Sequence, residues 1–339
     1  MHPALQGLIT IVIGISGCVG YFYFSNQFID KVLFPPRGEN AGRNINRANM
    51  IRPWLFLLPA LLALGLYLAY PVYETLRLSL TERSTLPDGT TAYAFVGLDN
   101  YGQMMREPKF WEALRNNAMW LLVVPALSTA FGLLAAQLTD RIKWGAAAKS
   151  MIFMPMAISF VGAAVIFKLV YDARPVTQDQ IGALNAIYLA LGGTEPQTWL
   201  TIPIWNNFFL MAVLVWIQTG FAMVILSAAL RGIPEGTIEA AIVDGANPFQ
   251  LFFKIKVPQI KGTIMVVWTT ITIVVLKVFD IVFAMTNGQW ETQVLANYMF
   301  DKLFRANDWG VGSASAMVIM LLVTPILVWN VRNARKEMK

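Results

Sequence analysis

The residues able to carry reaction chemistry are few and badly spaced for it. The single histidine, His2, stands at the second position, and the single cysteine, Cys18, lies inside an apolar run. A His-based triad, a two-histidine metal site, a Cys-ligated zinc and an intrachain disulfide therefore all lack material. The chain also has no Gly-Lys dipeptide, hence no P-loop to cradle nucleotide phosphates. No catalytic or metal-ligating residue is assigned, and any ATP-driven work must draw on another chain.

Two sites of a different kind stand out. Lys277 and Asp280 interrupt the apolar run Val274-Val-Leu-Lys-Val-Phe-Asp-Ile-Val282. On one continuous helix their spacing puts them on the same side, and a charge in hydrocarbon is costly unless paired or solvated. Two readings follow: a mutual ion pair that stabilises the helix, or a polar pair lining a translocation cavity and meeting substrate hydroxyls. The second site is the stretch Arg231-Gly-Ile-Pro-Glu-Gly-Thr-Ile-Glu-Ala-Ala-Ile-Val-Asp-Gly-Ala-Asn-Pro-Phe-Gln-Leu-Phe-Phe-Lys-Ile-Lys-Val-Pro258. Pro234 before Glu235 suits a helix start, because proline has no amide proton to orphan and an acid favours the positive helix end. Asp244-Gly245 ends that helix with a left-handed cap, and Asn247-Pro248 starts another. Ile238, Ala241 and Ile242 form one apolar face, and Phe249, Phe252 and Phe253 a second. The pattern predicts an angled pair of short helices. By itself it suits an amphipathic hairpin on a membrane surface equally well.

The elements that carry these residues follow from composition. Of 339 residues, 56% are hydrophobic and only 14% charged, and the mean hydropathy is +0.54. Soluble domains carry roughly 25% charged residues, so an ordinary soluble enzyme is excluded. Runs long enough to cross about 30 Å of hydrocarbon occur near 5–25, 54–73, 117–138, 150–171, 207–229, 262–284 and 313–331. They are continuous rather than alternating, which disfavours a barrel wall. The expected fold is an all-α integral membrane protein of about seven transmembrane helices. The first run lacks a basic n-region and a small-residue cleavage site before Asp30, so it is expected to stay as an uncleaved helix. Trp54, Tyr70, Tyr73 and Trp329 suit interfacial anchoring in membrane lipid.

Net charge is +6 with a pI of about 9.4. The basic residues sit between apolar runs, where they orient helices rather than bind phosphate backbones, so no nucleic-acid partner is expected. Lys31, Arg37, Arg43, Arg47 and Arg52, then Arg141, Lys143 and Lys149, then Arg231, Lys254, Lys256 and Lys261, and finally Arg332, Arg335, Lys336 and Lys339 fall on one side. The other side has fewer, and its long 74–116 loop offsets them with Glu74, Glu82, Asp88, Asp99, Glu107 and Glu112. The first side is expected to be cytoplasmic, with the N-terminus outside and the C-terminus inside. Organisation reads as a first helix and basic loop (1–53), a helix and outer loop (54–116), a core (117–331) holding the 231–258 loop, and a tail (332–339).

Glu239-Ala240-Ala241, then Gly245, Ile255 and Val257-Pro258, resembles the EAA loop of ABC importer permeases, with Val257 where the family has Leu. Phe95-Val-Gly-Leu-Asp-Asn-Tyr101, Leu230-Arg-Gly-Ile-Pro234, Asp244-Gly245-Ala246 and Thr286-Asn287-Gly288 extend the likeness to carbohydrate-uptake permeases of the maltose type, in particular alpha-glucoside permeases. The resemblance implies that Glu235, Glu239, Ala240, Ala241, Asp244 and Gly245 dock a separate ATPase, which would bind ATP and Mg. No cofactor is implied in this chain. It further implies a second homologous permease, two ATPase subunits and a periplasmic or lipid-anchored sugar-binding protein. The implied cargo is an alpha-glucoside, or a related osmolyte such as glucosylglycerol. An ungapped carry-over of sugar-contacting positions gives Met156, Phe160, Ile217, Gln218, Phe221, Ile271, Val274, Val275 and Val278, of which only Gln218 can hydrogen-bond through its side chain. Phe221 could stack on a sugar ring or simply pack. The rival classes are a gradient-driven secondary transporter with Asp280 as ion ligand, and a membrane scaffold with no transport path.

Overall fold

The computed structural model describes residues 3–37, 40–85, 91–140 and 142–337. His2, Asp88, Arg141 and Lys339 lie outside them. The chain forms two compact units, Met1–Glu74 and Thr75–Lys339, whose boundary falls inside the segment expected at 54–116.

The first unit is built from α1 (Pro3–Phe28), prolonged by a π turn at Ile29–Leu33, and α2 (Ala41–Leu64), prolonged by a π turn at Gly65–Ala69. α2 starts well before its apolar run, so Arg43, Arg47 and Arg52 lie on a helix rather than in the expected loop. Hydropathy marks where a helix enters hydrocarbon, not where its hydrogen bonding begins, and arginine is a good helix former. Arg52 Nη2 donates to both oxygens of the Asp30 carboxylate, at 2.6 and 2.7 Å, and Nε donates to Asn26 at 3.2 Å. Tyr21 donates to the Leu55 carbonyl at 2.9 Å, and Phe22 stacks on Phe56. The central apolar windows of both helices bury no residue within the chain, as expected of surfaces whose solvent is lipid.

α3 (Tyr70–Ser79) runs across the boundary into the second unit. There an antiparallel hairpin follows, β1 (Thr81–Thr85) paired with β2 (Thr91–Phe95) in the register Thr81↔Phe95, an element the all-helical expectation did not contain. α4 (Asp99–Arg106) leads to the long α5 (Pro108–Thr139). Then come α6 (Gly145–Phe153), α7 (Phe160–Val170), α8 (Ala183–Ala190) and α9 (Trp205–Arg231). The 231–258 stretch holds α10 (Glu235–Val243), α11 (Pro248–Gln250) and a π turn at Leu251–Lys256, and runs into α12 (Val257–Gln259). α13 (Lys261–Leu276), α14 (Asp280–Met285), α15 (Leu295–Phe300) and α16 (Trp309–Glu337) complete the chain.

The core lies where α5, α9 and α13 meet. Trp120, Leu210, Met223 and Ile271 are completely enclosed there. Gly132 sets the approach of α5 to α9: a Cβ on it would stand 2.4 Å from that of Ala222 and 2.8 Å from the Met223 nitrogen, so only glycine fits.

Among the described residues, five helices are long and apolar enough to cross a membrane, and two bent pairs raise the number to seven. The fourth expected span, 150–171, is one of the bends. Pro155 sits in a 3₁₀ turn at Met154–Ala157 and Ser159 caps α7 by accepting from the Gly162 amide at 3.1 Å, so the two halves meet at 104°. The sixth, 262–284, stops at Leu276 and resumes at Asp280. The run Ile271-Thr-Ile-Val-Val275 has low helix propensity. Lys277 sits at the negative end of α13 and Asp280 at the positive end of α14, so the break satisfies both helix dipoles.

Candidate functional site

The 231–258 loop folds as two capped helices, and its caps are those its residues call for. α10 begins at Glu235 with Pro234 in the cap position, one place earlier than a first-turn proline. It ends in a Schellman motif. Gly245 adopts φ +82, its amide bonds the Ile242 carbonyl at 3.0 Å, and the Ala246 amide bonds the Ala241 carbonyl at 3.0 Å. Nothing lies within 4 Å of the position a Gly245 Cβ would take, so glycine is required there by backbone conformation rather than by space. Asn247 then makes a full capping box: its side chain accepts from the Gln250 amide at 2.8 Å while the Gln250 side chain accepts from the Asn247 amide at 3.0 Å.

The expected face of Ile238, Ala241 and Ile242 divides. Ile238 packs on the core and Ala241 is buried, whereas Ile242 is exposed. Val243 is 86% exposed, Phe249 77% and Phe253 62%. Glu235, Glu239, Ala240 and Asp244 are all exposed on the same loop. The loop therefore presents an apolar surface with carboxylates beside it, held by self-contained caps. Exposed apolar side chains rimmed by polar groups are, in general, what binding surfaces are made of.

The residues expected along a substrate path do not share one environment. Gln218, on α9, is only 6% exposed, and its amide has no hydrogen-bond partner in the chain among the described residues. Phe221 is half-buried against the core, and Ile217, Ile271, Val275 and Val278 are buried beside the same helices. Lys277 and Asp280 do not lie on one helix and form no ion pair with each other, which overturns the same-face reading. Lys277 is exposed, in the wall of a cavity of about 320 Å³ with Phe279, Met299 and Phe300. A larger cavity of about 690 Å³, between α5, α6 and α9, is lined by apolar groups such as Phe131, Met151 and Trp216, and Gln218 does not line it.

One polar arrangement escaped the reading of the sequence. At the end of the bundle away from the 231–258 loop, the backbone of 287–291 holds positive φ at Asn287, Gly288, Trp290 and Glu291. Buried asparagines hold it in place. Asn116 donates to the Glu291 and Gln293 carbonyls at 2.8 Å each, Asn206 to the Trp290 carbonyl at 2.5 Å, and Asn207 to the Glu291 carbonyl at 3.2 Å. Asn117 accepts from the Leu295 amide at 2.7 Å. The available signal was a pair of Asn-Asn dipeptides, each near the start of an apolar span.

Residues 128–336 match the family described as binding-protein-dependent transport system inner membrane component. The chain is 61% identical over 341 residues to the alpha-glucoside transport system permease protein AglF of Rhizobium meliloti (strain 1021), covering 99% of each. It is 46% identical over 285 residues to the osmoprotective compounds uptake permease protein GgtC of Synechocystis sp., covering 84% of this chain and 99% of that one. Its fold resembles a chain of a solved bacterial ABC transporter that imports the acidic polysaccharide alginate, with a TM-score of 0.71 at 20% identity, covering 89% of this chain and 100% of the other. These matches set aside the gradient-driven and scaffold readings. With a family match across most of its second unit and a relative aligned end to end, the chain belongs to the binding-protein-dependent transport system inner membrane components, as a multi-pass permease subunit of an ABC importer.

Proposed function

We propose that the chain moves an alpha-glucoside, such as trehalose, sucrose or maltose, inward across the membrane by alternating access. The end-to-end likeness to an alpha-glucoside permease carries this reading. Gln218 supports it chemically, since its side-chain amide, on a largely buried residue, has no partner in its own chain among the described residues and is left for a hydroxyl or a second subunit to meet. Lys277 and Asp280, free of each other, are offered to hydroxyls in the same way, and Phe221 to a sugar ring. A sugar needs more polar contacts than these, so a second homologous permease supplies the rest.

In this reading the 231–258 loop faces the cytoplasm with the C-terminus, the N-terminus lies outside, and the exposed Val243, Phe249 and Phe253 enter a groove of an ATPase subunit with Glu239 against a basic partner. Two such ATPases bind ATP and Mg, and a periplasmic or lipid-anchored sugar-binding protein delivers cargo. A second reading, an osmolyte such as glucosylglycerol as cargo, is favoured by the likeness to an osmoprotective-compound permease.

The test is uptake of labelled trehalose into cells carrying the complete system, competed by unlabelled sucrose, maltose and glucosylglycerol, in wild type and Gln218→Ala. Effective competition by disaccharides is expected. The variant should lose about 0.5–1.5 kcal/mol, up to roughly tenfold in apparent affinity, the usual worth of one neutral hydrogen bond. Competition by glucosylglycerol alone would move the assignment to the osmolyte, and unchanged kinetics in Gln218→Ala would remove that residue from the path.

A further inference from the structure

The two points where the 231–258 loop leaves and rejoins the bundle are both held by the last turn of a single helix. Arg231, the last residue of α9 and the first of the loop, reaches the Asp140 carboxylate at the end of α5, with Nη2 at 2.9 Å and Nε donating at 3.0 Å. On the returning side Lys256 donates to the Gln137 side chain at 3.4 Å, and Gln137 lies one turn before Asp140 on the same helix. Asp140 is occupied further. It pairs with Lys149 of α6 and accepts from the Ser227 hydroxyl of α9 at 3.2 Å, while Lys149 also donates to Ser227 at 2.6 Å. One carboxylate thus ties the ends of α5 and α9 to the middle of α6, and α6 leads directly into the 104° bend of the fourth span.

We infer that Asp140 is a positioning residue of the transport cycle: it fixes the roots of the ATPase-docking loop to α5 and α6, so that displacement of the loop moves the bent span and the α5–α9 core. The inference rests on the docking assignment proposed above. Its physical basis is stiffness. A loop joined to a bundle by backbone alone can swing about its roots, whereas charge-assisted hydrogen bonds of fixed geometry convert that swing into helix displacement. Asp140 is suited to hold two cations at once. Burial raises its pKa, but the hydrogen bonds from Lys149 and Arg231 and their positive charges outweigh this and hold the carboxyl below its ordinary value of 3.8. Its tie is present above that ordinary value and is lost only as pH falls through the lowered one. The other basic residues on the returning side, Lys254 and Lys261, make no ion pair with it.

The experiment uses the full complex in proteoliposomes, with Asp140→Asn, Asp140→Glu, Arg231→Gln and Glu239→Lys. For Asp140→Asn, co-purification of the ATPase and unstimulated hydrolysis should stay within about twofold of wild type, while hydrolysis stimulated by the sugar-loaded binding protein and uptake should fall by about tenfold, a size usual for coupling between sites. Asp140→Glu, which keeps the charge, should recover most of both. Unchanged stimulation and uptake in Asp140→Asn, or a loss that only follows the amount of assembled complex, would overturn the inference. If Asp140→Asn does not accumulate in the membrane, Arg231→Gln is judged by the same criteria, because that side chain is 65% exposed and its loss leaves the bundle packed. Glu239→Lys separates the two assignments. Its normal co-purification and transport would sink the docking surface, whereas its failure alongside a normal Asp140→Asn would sink only the tie.

Discussion

At the residue scale, the structure redistributes polar groups that the sequence places side by side. Lys277 and Asp280 are three apart in the chain but belong to two helices, each charge at the helix end that favours it, with no bond between them. Their substitutions should therefore be independent. In a double-mutant cycle with Lys277→Met and Asp280→Leu, followed by thermal unfolding in detergent, the coupling should stay below about 0.5 kcal/mol, as for residues without a shared partner. A coupling of a few kcal/mol would instead mark a buried ion pair. The four asparagines at the opposite end of the bundle show the converse case. Asn116, Asn117, Asn206 and Asn207 are far from residues 290–295 in sequence, yet they satisfy that segment's backbone. A buried peptide group left without a partner is expensive, so such carboxamides allow an irregular, left-handed turn to persist inside the fold.

At the element scale, the helix ends inside the 231–258 loop are set by the loop's own residues. Its two caps, the Schellman turn at Gly245 and the Asn247–Gln250 box, use only residues within the loop. Gly245→Val places a branched side chain at φ +82, which costs about 1–2 kcal/mol for the left-handed conformation and more for the branch. The α10–α11 angle should relax and transport should fail, with insertion into the membrane unchanged. Glu239→Lys leaves the fold intact, since Glu239 is exposed, and puts a positive charge on the surface proposed to dock the ATPase. Immunodetection in membranes and transport assays on the same cells check both variants, and wild-type uptake in the pair would remove the coupling role from the loop. The fourth and sixth spans make the contrasting point. Both runs are long enough in hydropathy to cross a membrane, but Pro155 and Ser159 bend one and the charges at Lys277 and Asp280 interrupt the other, so hydrophobic length does not guarantee a straight helix.

At the scale of the whole molecule, the chain is a permease subunit of an ABC importer. Its apolar exterior on α1 and α2 suits lipid, its core is a contact of α5, α9 and α13 allowed by Gly132, and an apolar loop surface with flanking acids follows the C-terminal end of α9. The purified chain alone should neither bind nor hydrolyse ATP, and hydrolysis should appear on reconstitution with an ATPase subunit and a second permease. Nucleotide binding by isothermal titration and phosphate release on the chain by itself check this, and turnover there would contradict the lack of a P-loop.

The sequence by itself determined what depends on local chemistry and on the solvent: a helical membrane chain, its approximate spans, and the capped helix pair at 231–258. Each follows from hydrophobic length or from residues that bond near neighbours in the chain. The tertiary structure alone decided the bends, the separation of Lys277 from Asp280, the isolation of Gln218, the asparagine-held turn and the joining of both loop roots to α5. Those depend on which distant carbonyl or cation comes within about 3 Å of a side chain, and packing of helices, not spacing along the chain, fixes that distance.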